Sequence, residues 1–296
     1  MTAFKIQKIL IPIDFSETSL LAVKHGAFMA KLYKADICLL HVFEKQWSHF
    51  NVILPQVQIE DLSGFTNKIE AKLAEIAEGI RKEYAVKTTS ICAPGNIFSE
   101  IVTIVNNEKI DVVVMGTHGV SGAEEFFMGS NTFKVVTKSP CPVLSVQTHA
   151  KKLGFSTILL PIDDSSHSRQ KVMQAIELAS HYNSKVHILG IVDSDVNLDK
   201  FKLKINQVEN FLTKHNVNFI AETINNDNPA TATLAYAKKI CADLIMIMTD
   251  QEESLTGFLL GNYAQQIVNH SKIPVFSIRP IEGEYKFVDL TGDWRM

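Results

Sequence analysis

The chain has 296 residues, 46% of them hydrophobic and 21% charged, with a net charge of −3 and a pI near 6.4. That length fits one large domain or two of ordinary size, and the balance of residues excludes wholesale disorder. The slight acidity excludes a basic nucleic-acid footprint, and no polybasic run marks a membrane surface. No apolar run reaches the roughly 20 residues of a membrane span.

The first eight residues carry charge at Lys5 and Lys8 and precede no long apolar core, so they do not read as a signal peptide. A cytoplasmic protein is expected. The four cysteines, Cys38, Cys92, Cys141 and Cys241, include no C-x-x-C pair. They read as small hydrophobes in a reducing compartment.

Ile9–Asp14 is a short apolar run that ends on a carboxylate, which predicts a buried strand. Ser16 is a candidate cap for a helix over Glu17–Tyr33. Asp36–Phe43 predicts a second strand, and Glu44–Glu60 follows with no clean period. Asp61–Tyr84 carries apolar residues at helical spacing, and Val86–Cys92 predicts a third strand. Pro94-Gly95-Asn96 turns into a helix over Ile97–Asn107. A fourth strand over Asp111–Met115, a helix over Asn131–Lys138 and a fifth strand over Pro142–Gln147 complete the half. Strict alternation of strand and helix predicts an α/β fold with a parallel sheet covered on both faces.

The pattern then repeats. Ile9–Asp14 recurs as Ile158–Asp163, 149 positions later, and the region from Asp111 to Pro142 recurs as Asp243 to Pro274, 132 positions later. The offsets imply that the first half is longer, and Glu44–Glu60 is read as the insertion. Two tandem domains follow, 1–148 and 153–280, with 149–152 as linker and 281–296 as a tail without counterpart.

The stretch Asp111–Ser130 has the makings of a phosphate cradle. A buried strand runs into Gly116 and Gly119, and Gly129-Ser130 opens a helix. Glycines let backbone approach an anion, and a helix start offers free N–H groups and positive dipole. In a parallel sheet, Asp14, the end of the second strand at Val42 and the end of the fourth at Met115-Gly116 fall on one carboxyl edge, where ligands sit. Asp14 could accept hydrogen bonds from an adenine amino group or a ribose hydroxyl, and Ser130 could reach a phosphate oxygen or a metal ion. Singly, each has a plain explanation: a capping Asp, a flexible turn, an ordinary helix start. His118 reads as a solvated loop residue, and Phe126, Phe127 and Met128 as packing.

The spacing Gly116-x2-Gly119-x9-Gly129-Ser130, with Asp14 after the first strand and S-P-C-P-V-L-S-V closing the domain, resembles the universal stress protein family. The resemblance covers both halves. It implies two tandem doubly wound five-stranded parallel-sheet domains, Rossmann-like and adenine nucleotide α-hydrolase-like, paired as an intramolecular pseudo-dimer. It implies an ATP site with Pro12, Asp14 and Val42 at the adenine–ribose end, and Met115, Gly116, Gly119, Gly129, Ser130 and Asn131 around ribose and phosphates. Mg2+ is the ion such a phosphate chain would bring. A homodimer of pseudo-dimers and an unidentified protein partner stay open.

The second half departs from the pattern. Gly116 becomes Met248, Gly119 becomes Gln251 and Ser130 becomes Asn262, while Asp163 and Gly261 are retained. A single nucleotide site, in the first half, is therefore expected. No Walker lysine, catalytic triad or metal-ligand cluster can be assigned from spacing. An ATP-binding stress-response regulatory module is the leading reading. A slow ATPase or adenylyl-transferring enzyme and a nucleotide-free scaffold are the alternatives.

Overall fold

The computed structural model describes residues 4–43, 60–117, 129–165, 167–192, 197–249 and 262–281. The chain divides into two compact units, one of Lys5–Leu153 and one that joins Phe4 to the chain from Gly154 onward.

In the first unit, β1 (Lys8–Pro12), β2 (Asp36–Phe43), β3 (Thr88–Pro94), β4 (Val112–Gly116) and β5 (Val143–Val146) pair in the order β3-β2-β1-β4-β5, every pair parallel. Strand order therefore reverses between β1 and β4. The helices are α1 (Glu17–Tyr33), α2 (Glu60–Tyr84), α3 (Ile97–Asn107) and α4 (Ser130–Lys138). Helices α1 and α2 pack together, as do α3 and α4. The central strands are wholly apolar where two helix layers cover them: Ile9, Leu10 and Ile11 of β1 and Val112, Val113 and Val114 of β4 are all buried. Asp111 takes no part in its strand. Its carboxylate accepts from the backbone N–H groups of Gln7 (2.7 Å) and Lys8 (2.9 Å) and ties the start of β1 to β4.

The second unit repeats the plan. Its strands β6 (Thr157–Ile162), β7 (Lys185–Val192), β8 (Phe219–Asn225), β9 (Leu244–Met248) and β10 (Val275–Ile278) pair in parallel as β8-β7-β6-β9-β10. Its helices are α5 (Val172–Tyr182), α6 (Leu198–Lys214), α7 (Pro229–Lys239) and α8 (Asn262–His270). Asp243 repeats the tie of Asp111, accepting from Ser156 N–H (2.9 Å) and Thr157 N–H (3.1 Å).

Several expectations shift in detail. β1 stops at Pro12, and Asp14 lies beyond it. β3 runs over Thr88–Pro94 instead of Val86–Cys92, because left-handed Ala85 (φ 56°) ends the preceding helix and the ladder to β2 runs on to Phe43↔Pro94. Proline is tolerated there because β3 is an edge strand. Glu60 belongs to α2, so the extra length of the first half is shared: α2 has 25 residues against 17 in α6. The rest of Glu44–Glu60 lies outside the described residues. Among the cysteines only Cys38 is buried, and Cys241 is exposed at a left-handed helix end. Among the described residues no helix is long and apolar enough to cross a membrane.

Candidate functional site

A cleft of about 190 Å³ opens at the carboxyl edge of the first unit's sheet, above the reversal between β1 and β4. Open parallel sheets bind ligands at such a point, because the connections on its two sides leave toward opposite faces. Pro12, Ile13 and Asp14 come from the end of β1, Leu40 and Val42 from β2, and Met115 and Gly116 from β4. Gly129, Ser130, Asn131 and Thr132 enter from the start of α4, Ser19 from α1 and Ile97 from α3. Eight of the nine residues expected from the sequence thus line one cavity. The ninth, Gly119, lies outside the described residues, with His118 and Phe126–Met128. Ile13, Ser19, Leu40, Ile97 and Thr132 were not expected. Leu40 was legible as the residue two before Val42 on the same strand face. Ser19, Ile97 and Thr132 belong to helices whose approach to the cleft no local pattern encodes.

The start of α4 brings a helix N-terminus to the lining of the cleft. Helices α1, α3, α6 and α7 have their first turns capped by Ser16, Asn96, Asn197 and Asn228, whose side chains accept from backbone N–H groups. At α4 the cap is Gly129, which has no side chain for that role. Its first-turn N–H groups have no partner within the helix and point out of its N-terminus, where the dipole is positive. Two bonds set this helix against the strand end: Gly129 N–H donates to Thr117 C=O (3.0 Å) and Thr132 Oγ1 donates to Gly116 C=O (3.1 Å).

The two described glycines of the motif differ in what they are for. A Cβ at Gly116 would stand 2.9 Å from Thr18 Cγ2, 3.1 Å from Thr18 C and 3.2 Å from Ser19 N. Backbone cannot yield as a flexible side chain can, so the fold itself requires glycine here. Among the described residues a Cβ at Gly129 would meet nothing closer than Thr117 O at 3.6 Å, and its φ of −55° suits any residue. Nothing among the described residues requires glycine at 129.

Asp14 is held in an Asx turn. Its Oδ1 accepts from Ser16 N–H (3.0 Å) and from Ser16 Oγ–H (2.6 Å). The turn also places Ser16 to cap α1, whose Ser19 N–H donates to Ser16 Oγ at 3.2 Å. The plain role for Asp14, a turn residue before a helix, is therefore real, and it is compatible with lining the cleft. Beyond β5 the chain returns along α1. Thr18 and Thr148 hydroxyls lie 3.3 Å apart, and His25 Nε2–H donates to Ala150 C=O at 2.7 Å.

The same edge of the second unit is rearranged. Asp163 keeps the turn, accepting from Ser165 N–H at 2.9 Å. Met248, the counterpart of Gly116, is buried. The helix behind it starts late: α5 has 11 residues against 17 in α1. Ser168, the counterpart of Ser19, instead accepts from Asp163 N–H at 2.9 Å. Lys204 of α6 donates to both the C=O (2.6 Å) and the carboxylate (2.5 Å) of Asp164, and Arg169 donates to Gln207. Burial pulls the Arg169 guanidinium below its usual pKa, against the opposing pull of Asp164. The segment that forms a helix turn behind Gly116 is here drawn onto the strand end and α6.

The profile of the universal stress protein family matches residues 5–147 and again 154–279. The chain belongs to that family, twice over. A universal stress protein of Archaeoglobus fulgidus has the same fold over nearly its whole length, with a TM-score of 0.74 at 20% identity, covering 95% of this chain and 98% of that one. Universal stress protein MJ0577 of Methanocaldococcus jannaschii is 35% identical over 153 residues, which is 48% of this chain and 94% of the relative. Universal stress protein YxiE of Bacillus subtilis is 30% identical over 145 residues, 47% of this chain and 98% of the relative. The Methanocaldococcus and Bacillus relatives are each about one domain long, whereas the Archaeoglobus chain is matched over nearly the full length of both.

Proposed function

We propose that the first universal stress protein domain binds one adenine nucleotide, ATP, in the Asp14–Ser130 cleft, and that the chain works as a nucleotide-occupied stress-response module. One observation carries the reading. Strand ends at the β1/β4 reversal, the Asp14 carboxylate and the glycine-capped start of α4 line a single cavity. Phosphates would sit on the α4 start, with the Ser130 hydroxyl beside them. Asp14 would accept hydrogen bonds from the ribose or the adenine amino group. Pro12, Val42 and Met115 would supply apolar contact to the ring system. The freedom of position 129 supports the reading, because a bound anion gives that glycine a purpose that its described neighbours do not.

Mg2+ would arrive with the phosphates, since among the described residues no group of His, Cys, Asp or Glu is placed to hold a metal. In the second domain, Met248 and the turn tied by Asp163, Asp164 and Ser168 would take room that a nucleotide needs. Mass spectrometry of small molecules released from the purified chain, followed by calorimetric titration with ATP, tests the proposal. About one ATP per chain is expected. Two per chain would overturn the asymmetry, and no release with no rebinding would overturn the nucleotide reading in favour of a scaffold.

A further inference from the structure

Asp14 lies between two residues that are both held by a single imidazole. On one side, His41 Nδ1–H donates to the carbonyl of Ile13 at 2.7 Å. On the other, the His41 ring stacks against Phe15, with centroids 4.9 Å apart and planes tilted by 32°. Lys72 of α2 places its ammonium 5.5 Å from the Phe15 ring centre, a cation–π distance. Ile13 N–H is also tied, donating to Leu40 C=O at 2.7 Å.

The backbone of Phe15 is unusual. Its φ is +63°. The other described non-glycine residues with positive φ, Lys34, Ala85, Lys109, Asn183, Asn216 and Cys241, all follow the C-terminal ends of helices, where a left-handed residue is an ordinary stop. Phe15 precedes a helix and is bulky, which makes it a genuine outlier held by its surroundings. The alternation of β2 explains what the outlier achieves. Leu40 and Val42 point to the cleft face, so His41 points to the opposite face, under α2. Phe15 is anchored on that far face while its neighbour Asp14 lines the cleft.

The second half serves as an internal control. Its Asx turn at Asp163 forms without the clamp: His41 is replaced by Gly190, and Phe15 by Asp164, which is not left-handed. The turn therefore does not need the imidazole. The clamp occurs in the half with the cleft.

We propose that His41, acting through Ile13 and Phe15, is a positioning residue that fixes the direction of the Asp14 carboxylate toward ligand in the first-half cleft. The inference rests on that cleft being the nucleotide site. Its test is a coupling experiment in the full chain, with ATP titrated calorimetrically into the unaltered protein, His41→Ala, His41→Asn, Asp14→Ala and the double variant Asp14→Ala/His41→Ala. His41→Ala should raise the ATP Kd by roughly fivefold, about the value of one well-aligned hydrogen bond. His41→Asn keeps an N–H donor for Ile13 C=O and should recover most of the loss. In the Asp14→Ala background His41→Ala should have no further effect, because the group it aims is gone. Should His41→Ala fold poorly, Phe15→Gly replaces it, since glycine takes the left-handed conformation freely and only the ring is lost. An unchanged Kd, or the same loss in both Asp14 backgrounds, overturns the inference and leaves the nucleotide reading standing. Absence of ATP binding by the unaltered chain overturns both.

Discussion

The two halves share their strand order, and they share the carboxylates that tie the first strand to the fourth, Asp111 and Asp243. They differ where those strands end. In the first half, Gly116 lets the opening turn of α1 lie against the end of β4. In the second, Met248 stands at that place and the helix begins six positions later in the repeat. Phe15 over His41 in one half corresponds to Asp164 paired with Lys204 in the other. The comparison teaches that a buried parallel sheet constrains its interior far more than its carboxyl edge. A few substitutions at that edge rearrange the turn and the helix start beside it while the order of the strand pairs survives.

Four changes would break or sharpen that contrast. The largest effect is expected from Met248→Ala. The side chain is buried, and truncation should cost about 2–5 kcal/mol in urea unfolding, while ATP stoichiometry stays at one, because the 163–171 segment is still drawn onto α6. Next is Gly116→Met, which writes the second half's residue into the first. Overpacking against Thr18 and Ser19 backbone should cost about 1–3 kcal/mol and abolish ATP binding by titration. Retention of full affinity would mean that the glycine is not what keeps the cleft open. Gly129→Ala should change stability by about 1 kcal/mol or less yet raise the ATP Kd by roughly tenfold, a difference of about 1.4 kcal/mol. Equal binding before and after would remove the anion from the start of α4.

The smallest effect is one of pH. Burial holds the His25 imidazole below its ordinary value near 6.5, against the opposing bond to Ala150, so the unfolded chain takes up its proton first. The stability that His25 contributes is complete above about pH 6.5 and declines as pH falls toward the folded value, by at most about 1.4 kcal/mol per pH unit for one proton. His25→Gln should take that component out of the acid-side slope. His187 of the second half is also lowered by burial, with Lys185 adding to the effect, and its component should remain. Denaturation curves collected from pH 7.5 to 5 read both.

Much of this was legible from residue order. Apolar runs of five or six residues, alternating with helical spacing, specify buried parallel strands, and a tandem repeat with two offsets specifies two such sheets. Helix α1 begins and ends where Ser16 and the apolar spacing place it. Five of the eight expected residues that line the cleft lie at or just beyond strand ends, which share an edge whenever the sheet is parallel, and the other three open the helix that follows β4. The extent of β3 was less legible, since its ladder to β2 sets its limits and the partner lies some 50 residues away in sequence.

What the sequence determined by itself is therefore periodic and local: element types, their order, the repeat, and the glycine and carboxylate positions at the sheet's edge. What only the tertiary structure decided is the reason for each of those positions. Gly116 is a glycine because the backbone of Thr18 and Ser19 passes within van der Waals reach of it, whereas at Gly129 the described residues leave room for a Cβ. Asp14 lies between two residues that one imidazole, 27 positions ahead of it, holds on the far face of the sheet. Such contacts join residues distant in the chain, and steric exclusion and hydrogen bonding between them exist only once the strands and helices have packed.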